Sequence, residues 1–578
     1  MAKQSIAEQF VEVLAASGVR RVYGVVGDSL NPIVDAVRRS SIDWVHVRHE
    51  ETGAFAAGAE AQLTGRLAAC AGSCGPGNLH LINGLYDAHR SMAPVLALAS
   101  HIPGSEIGTG YFQETHPTHL FAECSHYCEL ISHVGQMPRV LQTAIQHAVG
   151  LGGVSVVALP GDLAAERVTD VPIWTPALSR PTVRPADEDL DRMVRMVDEA
   201  DRVTLFCGAG SAGAHQQVMA FAQQVKAPVG HALRGKEWIQ YDNPFDVGMS
   251  GLLGYGAAYE AMHEAQLLIL LGTDFPYPPF LPDNVRTVQV DIRPEHLGRR
   301  TAVELGVVGD VGETLRCLTE RVREKRDRGF LDRMLRKHAQ ALEKVVDAYT
   351  KKVEKHVPIH PEYAAAILDE LADADSIFTV DTGMPTVWAA RYISPNGRRR
   401  IIGSFRHGSM ANALPQAIGA QLTDRGRQVI SMSGDGGFAM LMGDLLTLVQ
   451  QDLPVKVILF DNSSLGMVDL EMLVGGYQPY GTTNTNPDFA AVARAAGIHG
   501  VRVEKPKELR AGIREVLHHR GPALLDLVCD PNALSIPPRI TSEQVAGFTR
   551  ASGKIVLSGG VGKMAELARS NLRNIPRP

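Results

Sequence analysis

The stretch that most constrains this chain is 427–462, RQVISMSGDGGFAMLMGDLLTLVQQDLPVKVILFDN. Residues 428–432 run as a strand into Gly434-Asp435-Gly436-Gly437. Phe438 to Gln451 then carries apolar residues at helical spacing (Met440, Leu441, Leu445, Leu448), and Pro454 to Phe460 is almost continuously apolar. That order predicts strand, glycine turn, helix and strand, the last buried on both faces of a parallel sheet. Glycines between a strand end and a helix N-terminus let backbone N–H groups approach a phosphate, whose charge the helix dipole favours. Asp435 and, after the next strand, Asn462 stand at strand ends that share one rim of such a sheet. A carboxylate and an amide oxygen facing a diphosphate suit a hard cation such as Mg2+, which takes about six oxygens, some of them from phosphate and water. The turn alone equally suits a helix start capped by Asp435. The second polar residue at the next strand end turns the reading toward a metal–diphosphate site.

A length of 578 residues predicts about three domains. The formal net charge of −6 argues against a general nucleic-acid binder. No apolar run approaches the ~18 residues of a membrane span. The N-terminus reads as an amphipathic helix entering a strand, with no signal-peptide core, and seven cysteines in so large a chain point to the reduced cytoplasm. Residues 1–180 alternate strand and helix: VRRVYGVVG (19–27), a helix over 30–39, WVHVRHE (44–50), a helix over 51–63, LAACAGSCGPG (67–77), PVLALAS (94–100) and VSVVALPGD (154–162). This predicts a doubly wound parallel α/β sheet. A second α/β unit over 181–345 and a third over 346–535 repeat the pattern, joined by a charged helical stretch from Phe330 to Lys355. Residues 536–578 form a C-terminal tail.

GDGG, about two dozen residues and then a D-N pair resemble the diphosphate-binding signature of thiamine diphosphate (ThDP) enzymes. That family usually carries two asparagines where this chain has Asp461-Asn462. The resemblance implies Asp435 and Asn462 as metal ligands and Gly436 and Gly437 as diphosphate contacts. R-H-E-E-x-x-A-x-x-A-A-x-A resembles the family's cofactor-activating segment, which assigns Glu50 to the aminopyrimidine ring; alone, Glu50 also suits a helix-start acid. Gly75, in GSCGPGNLHL, matches the loop beneath the pyrimidine, and Phe112-Gln113 matches the F-Q-E segment facing substrate and cofactor. Gly408-Ser409-Met410 matches the stretch under the thiazolium, with Met410 bending the cofactor. Ser463, Ser464, Leu465, Gly466, Met467 and Val468 match the mobile active-site segment, which assigns Met467 and Glu471 to the catalytic set. Relatives often place an aromatic ring at the Met467 position.

The middle unit offers glycine and polar clusters at successive strand ends, where a dinucleotide would bind. Nearly the whole chain, including HALRGKE, YDNPFDVGMSGL, GTDFPYP and GSFRHGSMANALPQA, resembles the bacterial pyruvate:quinone oxidoreductase family. That resemblance implies FAD held by Gly208, Gly210, Arg234, Ser250, Gly251, Leu252, Leu253, Thr273, Asp274, Phe275, Pro276, Tyr277 and Asp291. It implies oxidative decarboxylation of pyruvate to acetate, with electrons passing through FAD to a membrane quinone. It also implies a homo-oligomer, at least a dimer and as a tetramer in the family, with Glu50 facing the partner's diphosphate domain. An oxygen- and phosphate-using pyruvate oxidase and an acetolactate synthase stay open as alternatives. From Arg550 onward there are six basic residues (Arg550, Lys554, Lys563, Arg569, Arg573, Arg577) against one acid, Glu566. Val561, Met564, Leu567, Ala568 and Leu572 share one helical face there. The pattern suits an interfacial helix on anionic phospholipid or a helix docked on the protein itself. The expected location is cytoplasmic, peripheral on the inner face of the cell membrane.

Overall fold

The computed structural model describes residues 4–168, 176–179, 181–533, 548–552, 554–555, 561–571 and 573. Three α/β units follow one another, each built on its own sheet. The first sheet holds six parallel strands in the spatial order Asp43–His46, Arg21–Gly24, Ala68–Gly72, Val95–His101, Val154–Pro160 and Tyr127–Leu130. The third holds six parallel strands in the order Arg400–Gly403, Ile377–Val380, Val429–Gly434, Lys456–Asp461, Ala523–Val528 and His499–Val503. Numbered along the chain, both sheets read 2-1-3-4-6-5. The central strands are buried throughout, which explains their unbroken apolar runs.

The middle sheet runs Tyr255–Gly256, Asp246–Met249, Val229–His231, Val203–Cys207, Leu267–Leu271, Arg286–Asp291 and Leu305–Val308. Only the Tyr255–Gly256 edge pairs antiparallel, so this sheet is mixed rather than wholly parallel. No helix among the described residues is long and apolar enough to cross a membrane. The boundaries expected at 180/181 and 535/536 fall on or beside Arg180, Ser535 and Ile536, which lie outside the described residues.

Three local expectations are corrected. The strand expected within 227–237 is confined to Val229–His231, and the chain then turns through Leu233–Gly235 and Lys236–Ile239, which carries Arg234 off the sheet. The charged stretch from Phe330 is α-helical only over Gly329–Lys344 and then tightens to a 3-10 turn over Val346–Tyr349, where Val346 and Tyr349 are buried. The helix expected over Phe438–Gln451 is broken into Asp435–Leu441 and Leu445–Gln450 by a 3-10 turn at Met442–Asp444.

That break serves the seam between the first and third units. Asp444 is buried, and its carboxylate accepts the Arg48 N–H (2.9 Å), the Thr52 hydroxyl (2.6 Å) and the Thr447 hydroxyl (2.7 Å). Beside it the Glu50–Thr64 helix packs on the Ala413–Thr423 helix. The first is rich in alanine and glycine, and a Cβ added at Gly419 would lie 2.1 Å from the Ala56 carbonyl oxygen. Two backbones this close admit no side chain between them. Asp444→Ala leaves the Thr52 hydroxyl and Arg48 N–H without their acceptor in this seam, a loss of about 1–3 kcal/mol. Thermal unfolding of the variant checks this: the expected outcome is a lower midpoint, and an unchanged one removes Asp444 as the tether.

Candidate active site and cofactor cavities

Strands Val429–Gly434 and Lys456–Asp461 are neighbours, with Gly434 paired to Phe460, so Asp435 and Asn462 follow adjacent tips. Both line one cavity of about 250 Å³ in the third unit. Its wall also includes Gly408, Met410, Gly436, Gly437, Ser464, Leu465, Gly466, Met467, Val468 and Glu471. Ser409 and Ser463 are outside the wall. The Ser409 hydroxyl accepts from Asn83 of the first unit at 2.8 Å, and Ser463 adopts a left-handed turn (φ 52°). Gly437 can be nothing larger: a Cβ there would lie 2.0 Å from Asp381 Oδ2. Asp381 is itself buried, accepts from the Thr382 N–H and the Asn412 amide, and its carboxyl is pushed up to about 7 by burial.

Asp435 is 2% exposed, and burial together with the neighbouring Asp461 raises its carboxyl above the usual range. Its Oδ2 accepts two amide hydrogen bonds, from Asn486 at 2.7 Å and Asn484 at 3.1 Å, which pull the other way. The same Asn486 nitrogen donates to Asp461 Oδ1 at 2.7 Å. Asn484 and Asn486 were not among the sequence candidates. They come from the 481–487 loop, which lies along 463–465 through bonds from Leu465 N–H to Thr482 O (2.8 Å) and Asn484 N–H to Ser463 O (2.9 Å). The one sequence signal was the pair of asparagines in GTTNTNPD, ahead of a helix capped by Asp488. Asn462 Oδ1 accepts the Ser464 N–H at 3.1 Å, which fixes its side chain at the strand tip. A buried carboxylate, an amide oxygen and a glycine-lined helix start form a donor set that fits a hard cation carrying a diphosphate.

Glu50 does not line this cavity. It opens the Glu50–Thr64 helix behind the N-cap His49, is buried, and its Oε2 lies 2.9 Å from His80 Nδ1. His80 stacks on His49 with centroids 4.3 Å apart. Gly75 and Gln113 adjoin one another nearby, both at positive φ (68° and 64°), and the Cys74 thiol donates to Gln113 Oε1 at 3.2 Å. Phe112 is 78% exposed. Within one chain, Glu50, Gly75, Phe112 and Gln113 therefore stand apart from the Asp435 cavity.

The middle unit carries a larger cavity of about 820 Å³. Gly208, Gly210, Arg234, Ser250, Gly251, Leu252, Leu253, Thr273, Asp274, Phe275, Pro276, Tyr277 and Asp291 all line it. So do six arginines in total: Arg90, Arg234, Arg293, Arg299, Arg300 and Arg406. Burial lowers the Arg234 guanidinium to about 10, so a neighbouring anion would favour its charged form. The Ser250 hydroxyl is buried with no protein partner, and Gly208 and Gly210 let the backbone run against Gly272. Excess positive charge, a free hydroxyl and close backbone approach fit a dinucleotide diphosphate. Gly408 belongs to the walls of both cavities.

The C-terminal helix Val561–Asn571 docks on the third unit. Ala551, Ile555 and Leu567 are buried against Leu473 of the Gly466–Val474 helix, whose start lines the Asp435 cavity. Its buried face differs from the expected one: Ala568 is exposed, whereas Ser570 and Asn571 are buried. The reason is polar. The Ser570 hydroxyl donates to Asp530 at 2.6 Å and the Asn571 amide to the Asn532 carbonyl at 2.7 Å. Leu572 and Arg577, and the side chains of Val561, Lys563 and Met564, lie outside the described residues.

Comparison with known proteins agrees with this architecture. Residues 4–120, 190–318 and 381–527 match, in order, the N-terminal TPP binding, central and C-terminal TPP binding domains of thiamine pyrophosphate enzymes. A putative thiamine pyrophosphate-containing protein of Bacillus subtilis is 36% identical over 95% of this chain and 96% of its own length. Pyruvate oxidase of Lactiplantibacillus plantarum is 29% identical over 90% of this chain and 87% of its own. The large subunit of acetolactate synthase isozyme 2 of Escherichia coli is 30% identical over 91% and 95%. Three domain types in the family's order, each on its own sheet, establish that this chain belongs to the thiamine pyrophosphate enzymes.

Proposed function

We propose that this chain oxidatively decarboxylates pyruvate to acetate and carbon dioxide, with FAD receiving the two electrons and passing them to a membrane quinone, and with one water molecule supplying the oxygen that completes acetate. The observation that carries the reading is the junction at Gly408, where the glycine-lined cavity of the third unit meets the arginine-lined cavity of the middle unit. A thiamine reaction centre and a redox dinucleotide placed in these two cavities adjoin one another. Tyr277 of the larger cavity also feels the charge of Glu471 from the smaller one, which with burial raises its hydroxyl. Bound thiamine diphosphate supplies a carbon that joins a 2-oxo acid and holds the electron pair left when carbon dioxide departs.

The residues around it bind, orient and move a proton. Asp435 and Asn462 hold the cation of the diphosphate, and Gly436 and Gly437 bring N–H groups to its oxygens. Met410 sits in the wall beside Gly436, where it would support the cofactor. Leu465, Met467 and Val468 form the apolar part of the wall and would limit the water that reaches the reacting carbon before the electrons leave, although Met467 offers no aromatic ring. Glu50 exchanges a proton at its carboxylate with the pyrimidine ring. Because Glu50 is outside the cavity of its own chain, two copies pair so that each lends Glu50, Phe112 and Gln113 to the other's cavity. A tetramer doubles that unit. We place the protein in the cytoplasm, peripheral on the inner face of the cell membrane.

The basic tail supports the membrane part of the reading. Its exposed Arg550, Lys554, Arg569 and Arg573 suit anionic headgroups. Release is needed first, since Lys554 and Arg573 now donate to the Gly476, Lys351 and Lys352 carbonyls.

Anaerobic mixing with pyruvate tests the core of the proposal: the flavin should bleach and acetate appear. Acetolactate without bleaching would point to the synthase chemistry, and acetyl phosphate with peroxide in air to the oxidase chemistry. Asp435→Ala should lose thiamine diphosphate and Mg2+ together in a cofactor titration, with FAD retained. Glu50→Gln should cost at least about 10²-fold in turnover with every cofactor still bound; full turnover in that variant refutes its role. Deletion from Arg550 should spare reduction of a soluble dye and impair quinone reduction in liposomes, and equal quinone rates would remove the tail from the reading.

A further inference from the structure

The loop that crosses the metal-site strand tips carries a residue for which the sequence pattern assigned no role. Asn486 is half-buried, and its single amide nitrogen reaches three oxygens: Asp435 Oδ2 and Asp461 Oδ1, each at 2.7 Å, and Ser463 Oγ at 3.4 Å. Two carboxylates sharing one donor are two like charges held close together. Asp461 is 4% exposed and outside the cavity wall, and it stands where the family pattern has an asparagine. Its other contacts are the Ser463 N–H (3.2 Å), the Ser463 hydroxyl (3.3 Å) and Arg502 at 3.8 Å. Asn484 adds a second amide on Asp435 Oδ2 at 3.1 Å, so that oxygen is fully engaged by the protein.

We propose that Asn486 is a positioning residue for the cation: its amide bridges Asp435 and Asp461, leaves Asp435 Oδ1 as the oxygen presented to the ion, and keeps Asp461 from competing for it. The inference rests on the metal–diphosphate reading of this cavity. A family asparagine at position 461 would bring no second negative charge to the ligand. This chain has that charge, and the amide that neutralises its effect comes from a loop more than twenty residues further on. Removing a group that orients a metal-bound carboxylate typically costs about 10–100-fold in metal affinity.

The test is a double-variant cycle read by binding rather than turnover. Mg2+ is titrated into the full-length apo protein with thiamine diphosphate in excess, and tryptophan fluorescence is followed, to which Trp388 in the cavity wall contributes. Asn486→Ala should weaken Mg2+ about tenfold. Asp461→Asn should change it little, because an amide oxygen accepts the same hydrogen bond. The double variant should bind better than Asn486→Ala alone, since residue 461 then has no carboxylate with which to draw the ion away from Asp435 and Asn462. A merely structural Asn486 would lower the melting temperature and show no such rescue. Should Asn486→Ala fail to fold, Asn486→Leu keeps its size, removes the bridging amide without adding charge, and should weaken Mg2+ by a similar factor. Unchanged affinity in the foldable variant, or a double variant no better than the single, overturns the bridge. A wild-type chain showing no Mg2+-dependent response overturns the bridge together with the site reading beneath it.

Discussion

A buried carboxylate with no protein cation against it is the constraint on which the rest of this structure turns. Asp435 is 2% exposed, and among the described residues no lysine, arginine or histidine forms an ion pair with it. Burying an anion is costly unless something of opposite charge or several hydrogen bonds compensate. Two amides supply part of that compensation, but Asp461 beside it works in the opposite direction. The balance left over is a demand for a cation from solution. The glycine turn at the start of the next helix suits the second half of that demand, because first-turn N–H groups and the helix dipole favour an anion. A cation that arrives with a diphosphate satisfies both at once.

The strand order explains why both cavities lie where they do. In the third sheet the chain reverses direction between its first and third strands, and those strands lead into Asp381 and Asp435. In the middle sheet the corresponding reversal lies between Val203–Cys207 and Leu267–Leu271, which lead into Gly208 and Gly272. Connections leave such a point in opposite directions and open a crevice beyond the carboxyl ends of the strands. The close backbone contact of Gly208 and Gly210 with Gly272 keeps the floor of that crevice narrow. The first sheet repeats the order of the third, yet beside it stands a Glu50–His80 pair at 2.9 Å in place of the buried Asp435 with its two amides.

How much of this was legible in the sequence depends on range. Parallel strands buried on both faces announce themselves as apolar runs, and the strand–glycine–helix pattern around Asp435 is local, so both were readable. The break at Met442–Asp444 was not. Leu441, Leu445 and Leu448 kept the helical spacing, while the reason for the break, a carboxylate bonded to Thr52 and the Arg48 N–H, comes from nearly four hundred residues away. Asn484 and Asn486 were missed on the same grounds. In a polar loop, side-chain amides read as solvent-facing until the loop is seen folded over two strand tips. The residues lining the arginine-rich cavity were reached through segment likeness. Burial of Arg234 and the unpartnered Ser250 hydroxyl, which give that cavity its physical meaning, have no signature in the chain itself.

The C-terminal helix shows why composition alone leaves a choice open. Leucine and alanine on one face with basic residues on the other serve a membrane surface or a protein surface equally well. The structure resolves the docked arrangement through groups that a hydropathy pattern ignores. Ser570 and Asn571 turn inward to Asp530 and the Asn532 carbonyl, and His356 completes the set at 2.9 Å from Asp530. Leu567 and Ile555 cannot lie against Leu473 and in lipid at the same time, so the two positions of the tail are exclusive. Leu473 belongs to the helix that begins at Gly466 in the cavity wall, and Asp530 belongs to that wall as well. The docked tail therefore packs on the far end of the helix whose start lines the Asp435 cavity, which leaves the cavity wall itself free of the tail's described apolar residues.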